Sequence, residues 1–309
     1  MKKKICFIGA GKTMQKHLEV FSKFKNLEFV GIYNRTKRKA HQIRKKFKIN
    51  RVFNNIDEMY SLTKSNYVIV VVSPDANFKI IRDCLKYPWT IFTEKPLGLN
   101  YVQAKNLIRL SLKKKRKLFI ALNRRNFIST KKLVEIIDKK KNIKRNLEIY
   151  DQQSPSNIYF TKKVINNWQF ANSIHLIDYI SLICRGKVSS YKKKLIELNS
   201  KQKVLECVIK FSSGDTCKYR ALWFLPGKWQ VKVRLDKLIY TLKPLERLKV
   251  SEFNKSNFSD LKLNYSLDNE FKPGFFSQAK NLINDNKKSN LVDNSKYIKT
   301  NNLIKLIYG

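Results

Sequence analysis

Short apolar segments alternate with longer amphipathic segments through the first 122 residues. The apolar segments have the length of β-strands and lie at Ile5–Ile8, Phe29–Tyr33, Tyr67–Val72, Trp89–Phe92 and Leu118–Leu122. After the first of them, Leu18, Phe21 and Phe24 recur at helical spacing. The run at 67–72 is apolar on both faces, as in a central strand of a parallel sheet. The pattern predicts a doubly wound parallel sheet, a Rossmann fold, over residues 1–122.

The pattern changes beyond residue 122, where the apolar runs become longer and no longer alternate regularly with helices. Val204–Phe211 and Thr216–Phe224 flank a Ser-Ser-Gly-Asp turn and predict a hairpin. Apolar residues alternate with polar ones from Trp229 to Leu235, as in a strand buried on one face. Helices are expected at Phe275–Ile283 and Tyr297–Ile307. The expected fold class is therefore α/β, with an α+β domain at 123–309 whose sheet is mostly antiparallel.

The chain is strongly basic, with a net charge of +42 over 309 residues. Such a charge is compatible with a nucleic-acid-binding protein, because Lys and Arg displace counterions from phosphate backbones. The basic residues, however, are spread along the whole chain in short runs, and no segment resembles a basic tail. We therefore favour solvated charge over a dedicated nucleic-acid site, and the latter stays open as an alternative.

Cysteine usage and hydropathy indicate a cytoplasmic protein. The five cysteines include no C-x-x-C pair and no spacing typical of zinc sites, so no bound metal is expected. The apolar run after Lys2–Lys4 ends at Gly9, too early for a signal peptide. No stretch approaches the ~20 apolar residues of a membrane span.

A glycine turn follows the first predicted strand. Gly9 and Gly11 match the first two glycines of G-x-G-x-x-G, which make the tight turn and admit a pyrophosphate to the helix N-terminus, beside Lys12 and Thr13. The third motif position is Met14, which weakens the match. A P-loop is disfavoured because its earlier glycine falls on Cys6. We favour a dinucleotide site over a purely structural turn.

The end of the second predicted strand indicates which dinucleotide is bound. An acidic residue there commonly holds the ribose 2′-hydroxyl of NAD, whereas this chain has Asn34 and Arg35. A guanidinium suits a 2′-phosphate. We expect NADP(H), with NAD(H) as the alternative, unless Arg35 is simply another solvated charge.

Several motifs together resemble the Gfo/Idh/MocA family, the relatives of glucose-fructose oxidoreductase and inositol dehydrogenase. They are Gly9-Ala10-Gly11, Val72-Ser73-Pro74, Glu94-Lys95-Pro96, Asn123-Arg124-Arg125 with Phe127, the segment Asn172–Asp178, the segment Trp223–Trp229, and Phe271–Phe275. Their order extends over nearly the full chain. The resemblance implies NAD(P)-dependent oxidation or reduction of a sugar, a cyclitol or a nucleotide-sugar. It also implies that the C-terminal domain closes the substrate cleft and contributes to a homo-oligomer.

The resemblance implies roles for individual residues. Lys95, which follows the predicted strand Trp89–Phe92, would be the active-site lysine beside the nicotinamide, with His175 as general acid or base and Asp178 orienting it or binding a hydroxyl. Expected cofactor contacts are Gly9, Gly11, Lys12, Thr13, Asn34, Arg35, Ser73, Pro74 and Glu94. Expected substrate contacts are Asn123, Arg125, Trp168 and Asn172.

One position departs from the family pattern. Many members have an Asp four residues before the His, where this chain has Ala171. Proton transfer would then fall to Lys95, His175 or water. A nucleotide-binding protein without catalytic activity, with a regulatory or scaffold role, is the main alternative to an enzyme.

Overall fold

A six-stranded parallel sheet forms the N-terminal part of the molecule. The computed structural model describes residues 2–153, 161–199, 202–223, 225–285 and 290–309. The strands are β1 Lys3–Ile8, β2 Leu27–Tyr33, β3 Arg51–Phe53, β4 Tyr67–Val70, β5 Thr90–Thr93 and β6 Leu118–Ile120. Their spatial order is β3-β2-β1-β4-β5-β6, with every neighbouring pair parallel. The order reverses direction between β1 and β4, and ligands of such sheets bind at the carboxyl ends there.

Helices cover both faces of this sheet. They are α1 Lys12–Phe21, α2 Lys37–Phe47, α3 Ile56–Thr63, α4 Pro74–Cys84 and α5 Tyr101–Lys113. Side chains cap two of them, since Asn55 accepts from the Glu58 amide and Asn100 from the Gln103 amide. Pro74 occupies the first turn of α4, where its missing N–H costs no hydrogen bond. The Rossmann prediction for this part of the chain is confirmed.

A mixed eight-stranded sheet forms the second part. Its strands are β7 Arg145–Gln153, β8 Val188–Asn199, β9 Gln202–Phe211, β10 Thr216–Trp223, β11 Gln230–Leu235, β12 Leu238–Leu242, β13 Leu248–Glu252 and β14 Ser259–Asp260. The order is β14-β13-β12-β11-β7-β10-β9-β8. Only the β7–β10 pair is parallel, which confirms a mostly antiparallel sheet. The predicted hairpin is β9–β10; its last predicted residue, Phe224, lies outside the described residues.

The remaining helices connect the two sheets. They are a 3₁₀ turn at Asn123–Asn126, α6 Ile128–Lys139, α7 Lys162–Ile165, a π-helix at Gln169–Ser173, α8 Ile174–Ile183, α9 Ser266–Glu270, α10 Phe275–Ile283 and α11 Asn294–Tyr308. The predicted helix at 297–307 begins three residues earlier, because Asp293 caps it by accepting from the Lys296 amide.

The C-terminal segment returns to the first sheet. Phe275 of α10 stacks on His17 of α1 with ring centroids 4.1 Å apart. Val292 forms a β-bridge with Ile120 at the edge of β6. These contacts join the two parts of the chain. The predicted domain boundary at residue 122 remains a prediction. In the described ranges, every helix is too short or too polar to traverse a lipid bilayer.

Candidate functional site

The turn between β1 and α1 requires glycine at its first position. Gly9 has φ +113°, and a Cβ there would lie 1.9 Å from the Val71 carbonyl oxygen. Gly11 is different, because a Cβ there would meet no atom within 4 Å. The first glycine thus allows the close passage of β4, and the second leaves open space in front of the α1 N-terminus. That N-terminus begins at Lys12 and presents unpaired amides to a bound anion.

The position of the third motif glycine is filled by core packing. Met14 is fully buried and belongs to the apolar cluster between α1 and the sheet. In the motif, that glycine allows the helix to approach the sheet closely. Here the flexible Met14 side chain fills the space between helix and sheet. The substitution leaves the phosphate-facing end of the turn unaffected.

A cleft of ≈ 750 Å³, called the glycine cleft below, opens at the carboxyl ends of β1, β2 and β4. Its lining includes the following predicted cofactor contacts: Gly9, Gly11, Lys12, Thr13, Asn34, Arg35 and Ser73. Pro74 follows the lining residue Ser73 in sequence, but neither Pro74 nor Glu94 lines the cleft. The glycine turn, the helix N-terminus and the volume fit a dinucleotide.

Basic residues predominate where β2 ends. Arg35 is exposed and lines the cleft, as does Lys39. The Asn34 side chain donates to the Thr36 carbonyl oxygen, 2.9 Å, and so stabilises the loop. The acid that would accept a ribose 2′-hydroxyl is absent from residues 33–36.

Lys95 lies just beyond the carboxyl end of β5 and contacts the second half of the chain. Its Nζ donates to the Ala171 carbonyl oxygen at 2.6 Å. Burial lowers the pKa of Lys95 to about 8, with Glu94 opposing the shift and the positive charges of Arg124 and Lys272 adding to it. The residue at 171 lacks a carboxylate, but its backbone positions the lysine.

Glu94 is held by a histidine that the sequence pattern had not distinguished. His17 Nε2 lies 3.0 Å from Glu94 Oε1, and the His17 side chain is only 3% exposed. Burial opposes ionisation of Glu94, but the hydrogen bond from His17 and the positive charges nearby outweigh it and lower its pKa. Glu94 therefore remains ionised beside Lys95. The His17 ring also packs on Phe275.

His175, on α8, is buried and bonded to Arg124. Arg124 Nη1 donates to His175 Nε2 at 2.6 Å, and its guanidinium lies 5.1 Å from the ring centroid of Trp229. An arginine can only donate, so Nε2 is the acceptor and the proton of the neutral ring is on Nδ1. Burial and the charges of Arg124, Lys95 and Lys272 hold the pKa of His175 well below its usual value. His175 is therefore a neutral donor through Nδ1.

Asp178, expected to orient His175 or bind a hydroxyl, forms a buried ion pair with Arg125. Arg125 Nε and Nη2 donate to the two Asp178 carboxylate oxygens at 2.5 and 2.7 Å, and Thr300 donates to the same carboxylate at 2.7 Å. His175 is not among these partners. With Thr300, the pair connects the 3₁₀ turn after β6 to α8 and α11, and so stabilises the packing of these elements.

The other three predicted substrate contacts, Asn123, Trp168 and Asn172, lie in different surroundings. Asn123 is buried and donates to the Pro273 carbonyl oxygen, 3.0 Å, so its side chain positions the loop before α10. Trp168 packs with Leu99 and Ala171, next to the Lys95 contact. Asn172 lies in the π-helix, a local widening often found at functional sites.

The structure thus brings together the cations Lys95, Arg124 and Lys272, a set named the cation cluster below, beside the neutral His175. Arg124 and Lys272 were not among the predicted site residues. Arg124 adjoins predicted residues in its motif, and Lys272 lies in the Phe271–Phe275 segment, so the motifs could have indicated both. Within the described ranges, no group of three or more His, Cys, Asp or Glu side chains could hold a metal ion.

Comparison with known proteins identifies the N-terminal part of the chain. Residues 3–122 match the model of the oxidoreductase family Gfo/Idh/MocA, described as having an NAD-binding Rossmann fold. An uncharacterized protein of Saccharomyces cerevisiae is 26% identical over 108 residues. That match covers 34% of this chain, which spans only 31% of the yeast protein.

Solved structures share the fold over nearly the full chain. A dehydrogenase from Chromobacterium violaceum has a TM-score of 0.81 at 15% identity, covering 99% of this chain and 94% of the other. UDP-N-acetylglucosamine 3-dehydrogenase from Acidithiobacillus ferrooxidans has a TM-score of 0.77 at 12% identity, covering 99% and 97%. An oxidoreductase from Agrobacterium radiobacter, solved with NAD+, L-tartaric acid and magnesium, has a TM-score of 0.77 at 13% identity, covering 100% and 96%. Residues 3–122 thus resemble the NAD-binding Rossmann domain of the Gfo/Idh/MocA oxidoreductases, and the chain as a whole shares the fold of these solved structures.

Proposed function

We propose that this protein is an NADP(H)-dependent oxidoreductase that interconverts a hydroxyl and a carbonyl group on a sugar-like substrate. The observation that carries the proposal is Lys95, an amine with a pKa of about 8 that follows β5, while the residues after the neighbouring strand β4 line the glycine cleft. A general acid or base is most effective when its pKa lies near the working pH. The nicotinamide, when bound, supplies or accepts the hydride.

Lys95 would carry the proton in this reaction. In its neutral form the amine takes the proton of the substrate hydroxyl during oxidation, and as an ammonium it returns a proton during reduction. The hydrogen bond to the Ala171 carbonyl oxygen orients Nζ and uses one of its hydrogens. The remaining positions on the nitrogen can interact with the substrate. No carboxylate at position 171 is then needed as a base.

His175 would orient the substrate oxygen. Its Nδ1 is buried and has no hydrogen-bond partner in the described part of the chain. Because Arg124 keeps the ring neutral with the proton on Nδ1, the histidine donates a hydrogen bond and does not accept a proton. Lys95 and His175 would thus divide proton transfer and orientation between them.

Preference for NADP(H) would come from Arg35 at the end of β2. Its guanidinium can form a charge-assisted pair with a 2′-phosphate. The sugar-like substrate is supported by one similar fold, the UDP-N-acetylglucosamine 3-dehydrogenase of Acidithiobacillus ferrooxidans. At 12% identity this neighbour supports the fold, and the substrate remains part of the proposal.

The test is nicotinamide absorbance during incubation with a panel of polyols, sugars, sugar acids and the corresponding ketones. We expect cofactor-coupled turnover on at least one panel member, and faster turnover with the 2′-phosphorylated cofactor. Dinucleotide binding in a thermal-shift assay without turnover on any member would contradict the enzyme and favour the non-catalytic alternative.

A further inference from the structure

The cation cluster differs from the other cationic contacts of this fold because it has no ion-paired carboxylate. Three buried or partly buried arginines each have their own aspartate: Arg125 pairs with Asp178, Arg145 with Asp138, and Arg185 with Asp215. Among the described residues, neither Lys95 nor Arg124 nor Lys272 has a carboxylate within salt-bridge distance.

Glu94 is the acid closest in sequence to the cluster, and it is already engaged. Its Oε1 bonds to His17, and its Oε2 accepts from the Lys95 backbone amide at 3.3 Å. Glu94 acts on all three cations and Glu246 on Arg124 alone, so two carboxylates near three cations leave the cluster with excess positive charge. Removing a charge from water without a counter-charge costs free energy. We therefore expect the excess positive charge to serve a function.

The hydrogen bonds of Arg124 leave one edge of its guanidinium open. Both of its side-chain bonds in the described ranges use Nη1, one to His175 and one to Asn123 Oδ1 at 2.9 Å. The Nε atom is buried and has no partner there. Trp229 covers the guanidinium plane at 5.1 Å, which fixes its orientation. An open guanidinium edge of fixed direction matches the two oxygens of an anionic group.

Lys272 adds a second cation from a different part of the chain. It is partly buried before α10, with Nζ 4.5 Å from the Phe275 ring centroid. Its charge lowers the pKa of Lys95 and of His175, and the charge of Arg124 in turn lowers the pKa of Lys272. Lys95, Arg124 and Lys272 all keep part of their surface exposed, so a ligand from solvent can reach them.

We propose that the substrate carries an anionic group, a carboxylate or a phosphate ester, bound by the open edge of Arg124 and by the Lys272 ammonium. This inference rests on the proposed function, because it assumes that the same cluster holds the reacting hydroxyl or carbonyl beside Lys95. It adds a substrate class: a polyhydroxylated anion, not a neutral sugar.

The experiment uses protein saturated with NADPH and measures quenching of tryptophan fluorescence, since Trp229 lies on Arg124. Matched probes separate the anionic group from the rest of the molecule: D-gluconate against D-glucitol for a carboxylate, and glycerol phosphate against glycerol for a phosphate. Titrations are made at about 0.15 M salt, where exposed charges are screened beyond ~8 Å. We expect at least one anion to bind about tenfold or more tightly than its neutral partner.

Variants assign this preference to the cluster. Lys272→Met and Arg124→Met should each weaken anion binding about tenfold to a hundredfold. Arg124→Lys should weaken it less than Arg124→Met, because lysine keeps the positive charge but lacks the planar pair of N–H donors. Lys280→Met removes an exposed charge from α10 and is the matched control. If Arg124→Met does not fold, Lys272→Met and Arg124→Lys still provide the test.

Three results would overturn the inference. Each anion could bind as weakly as its neutral partner, the preference could survive unchanged in Lys272→Met and Arg124→Lys, or the Lys272→Met defect could affect NADPH affinity alone. The last result would mean that the cofactor phosphates neutralise the cluster. Failure of the wild-type protein to bind either dinucleotide would instead overturn the proposed function itself.

Discussion

The glycine cleft and the cation cluster lie along the same edge of the first sheet but are built differently. The glycine cleft comes from consecutive residues, with Gly9 and Gly11 in one turn and exposed basic side chains around it. The cation cluster and the neighbouring His175 come from four separate segments, with Lys95 after β5, Arg124 after β6, His175 on α8 and Lys272 before α10. Local backbone chemistry therefore sets one half of the site, and tertiary packing sets the other.

The comparison predicts where substitutions act. In the glycine cleft, side chains should affect cofactor affinity and backbone geometry. In the cation cluster, they should affect turnover and the pH at which it occurs. The predictions below test that separation.

Lys95→Met should have the largest effect on turnover. Loss of the proton carrier should lower kcat about a hundredfold to ten-thousandfold, because general acid-base groups contribute by about that factor. Steady-state nicotinamide absorbance measures kcat, and calorimetry should show unchanged dinucleotide affinity. Lys113→Met, on an exposed face of α5, is the control. Wild-type kcat in Lys95→Met would remove this lysine from the mechanism.

Asp178→Asn should act on stability and not on chemistry. It leaves Arg125 buried without its counter-charge, which costs about 3–5 kcal/mol in the free energy of unfolding. Glu270→Gln is the matched control, since Glu270 and its partner Lys23 are both more than half exposed, and the loss of that pair should cost about 0–1 kcal/mol. Urea denaturation measures both. A stable Asp178→Asn protein without turnover would give Asp178 the catalytic role implied by the family resemblance.

Gly9→Ala and Gly11→Ala separate folding from binding within the glycine cleft. The Cβ at position 9 would collide with the Val71 carbonyl oxygen, so we expect a loss of about 1–3 kcal/mol or more from strain. The Cβ at position 11 meets no protein atom and should leave the melting temperature unchanged. It occupies the space expected for pyrophosphate, however, and should weaken dinucleotide binding. Equal stability of the two variants would contradict this account of the turn.

The pH dependence should follow Lys95. For alcohol oxidation the neutral amine is required, so kcat/KM should rise about tenfold per pH unit below the pKa and level off above about 8. For carbonyl reduction the ammonium is required, so the rate should fall through the same pH. Lys272→Met removes a nearby positive charge and should move the inflection to higher pH. If the pH profile is the same in Lys272→Met, the charge of Lys272 does not affect the pKa that controls the rate.

Arg35→Ala should have the smallest effect. Its guanidinium is exposed, so we expect about a tenfold loss in NADPH affinity and no loss for NADH. Calorimetric titration of both cofactors measures the difference, with Arg38→Ala as a neighbouring exposed control. Equal losses for the two cofactors would assign Arg35 to general attraction of anions.

The sequence predicted the parts of the molecule that depend on local pattern. Alternating apolar runs predicted a parallel sheet with five of its six strands, and Gly9 with Gly11 predicted the turn that opens the cleft. The short strand β3 was not predicted, because Arg51–Phe53 is three residues long and carries no distinct apolar period. Helix boundaries differed by a few residues where a side-chain cap such as Asp293 set the end.

Side-chain partners in the site could not be predicted in the same way. Asp178 and His175 are three residues apart on one helix, yet the first bonds to Arg125 and the second to Arg124. The glutamate beside Lys95 has a partner, His17, from 77 residues away. Nothing in local spacing specifies these contacts, since they arise when α1, α8 and α10 pack around the sheet edge.

Calorimetric titration of NADPH and NADH into the wild-type protein tests the central claim, that the glycine cleft holds a nicotinamide dinucleotide for chemistry at Lys95. The account predicts one dinucleotide bound per chain, tighter binding of NADPH than of NADH, and weaker binding to Gly11→Ala. Absence of binding for both dinucleotides in the folded wild-type protein would contradict it.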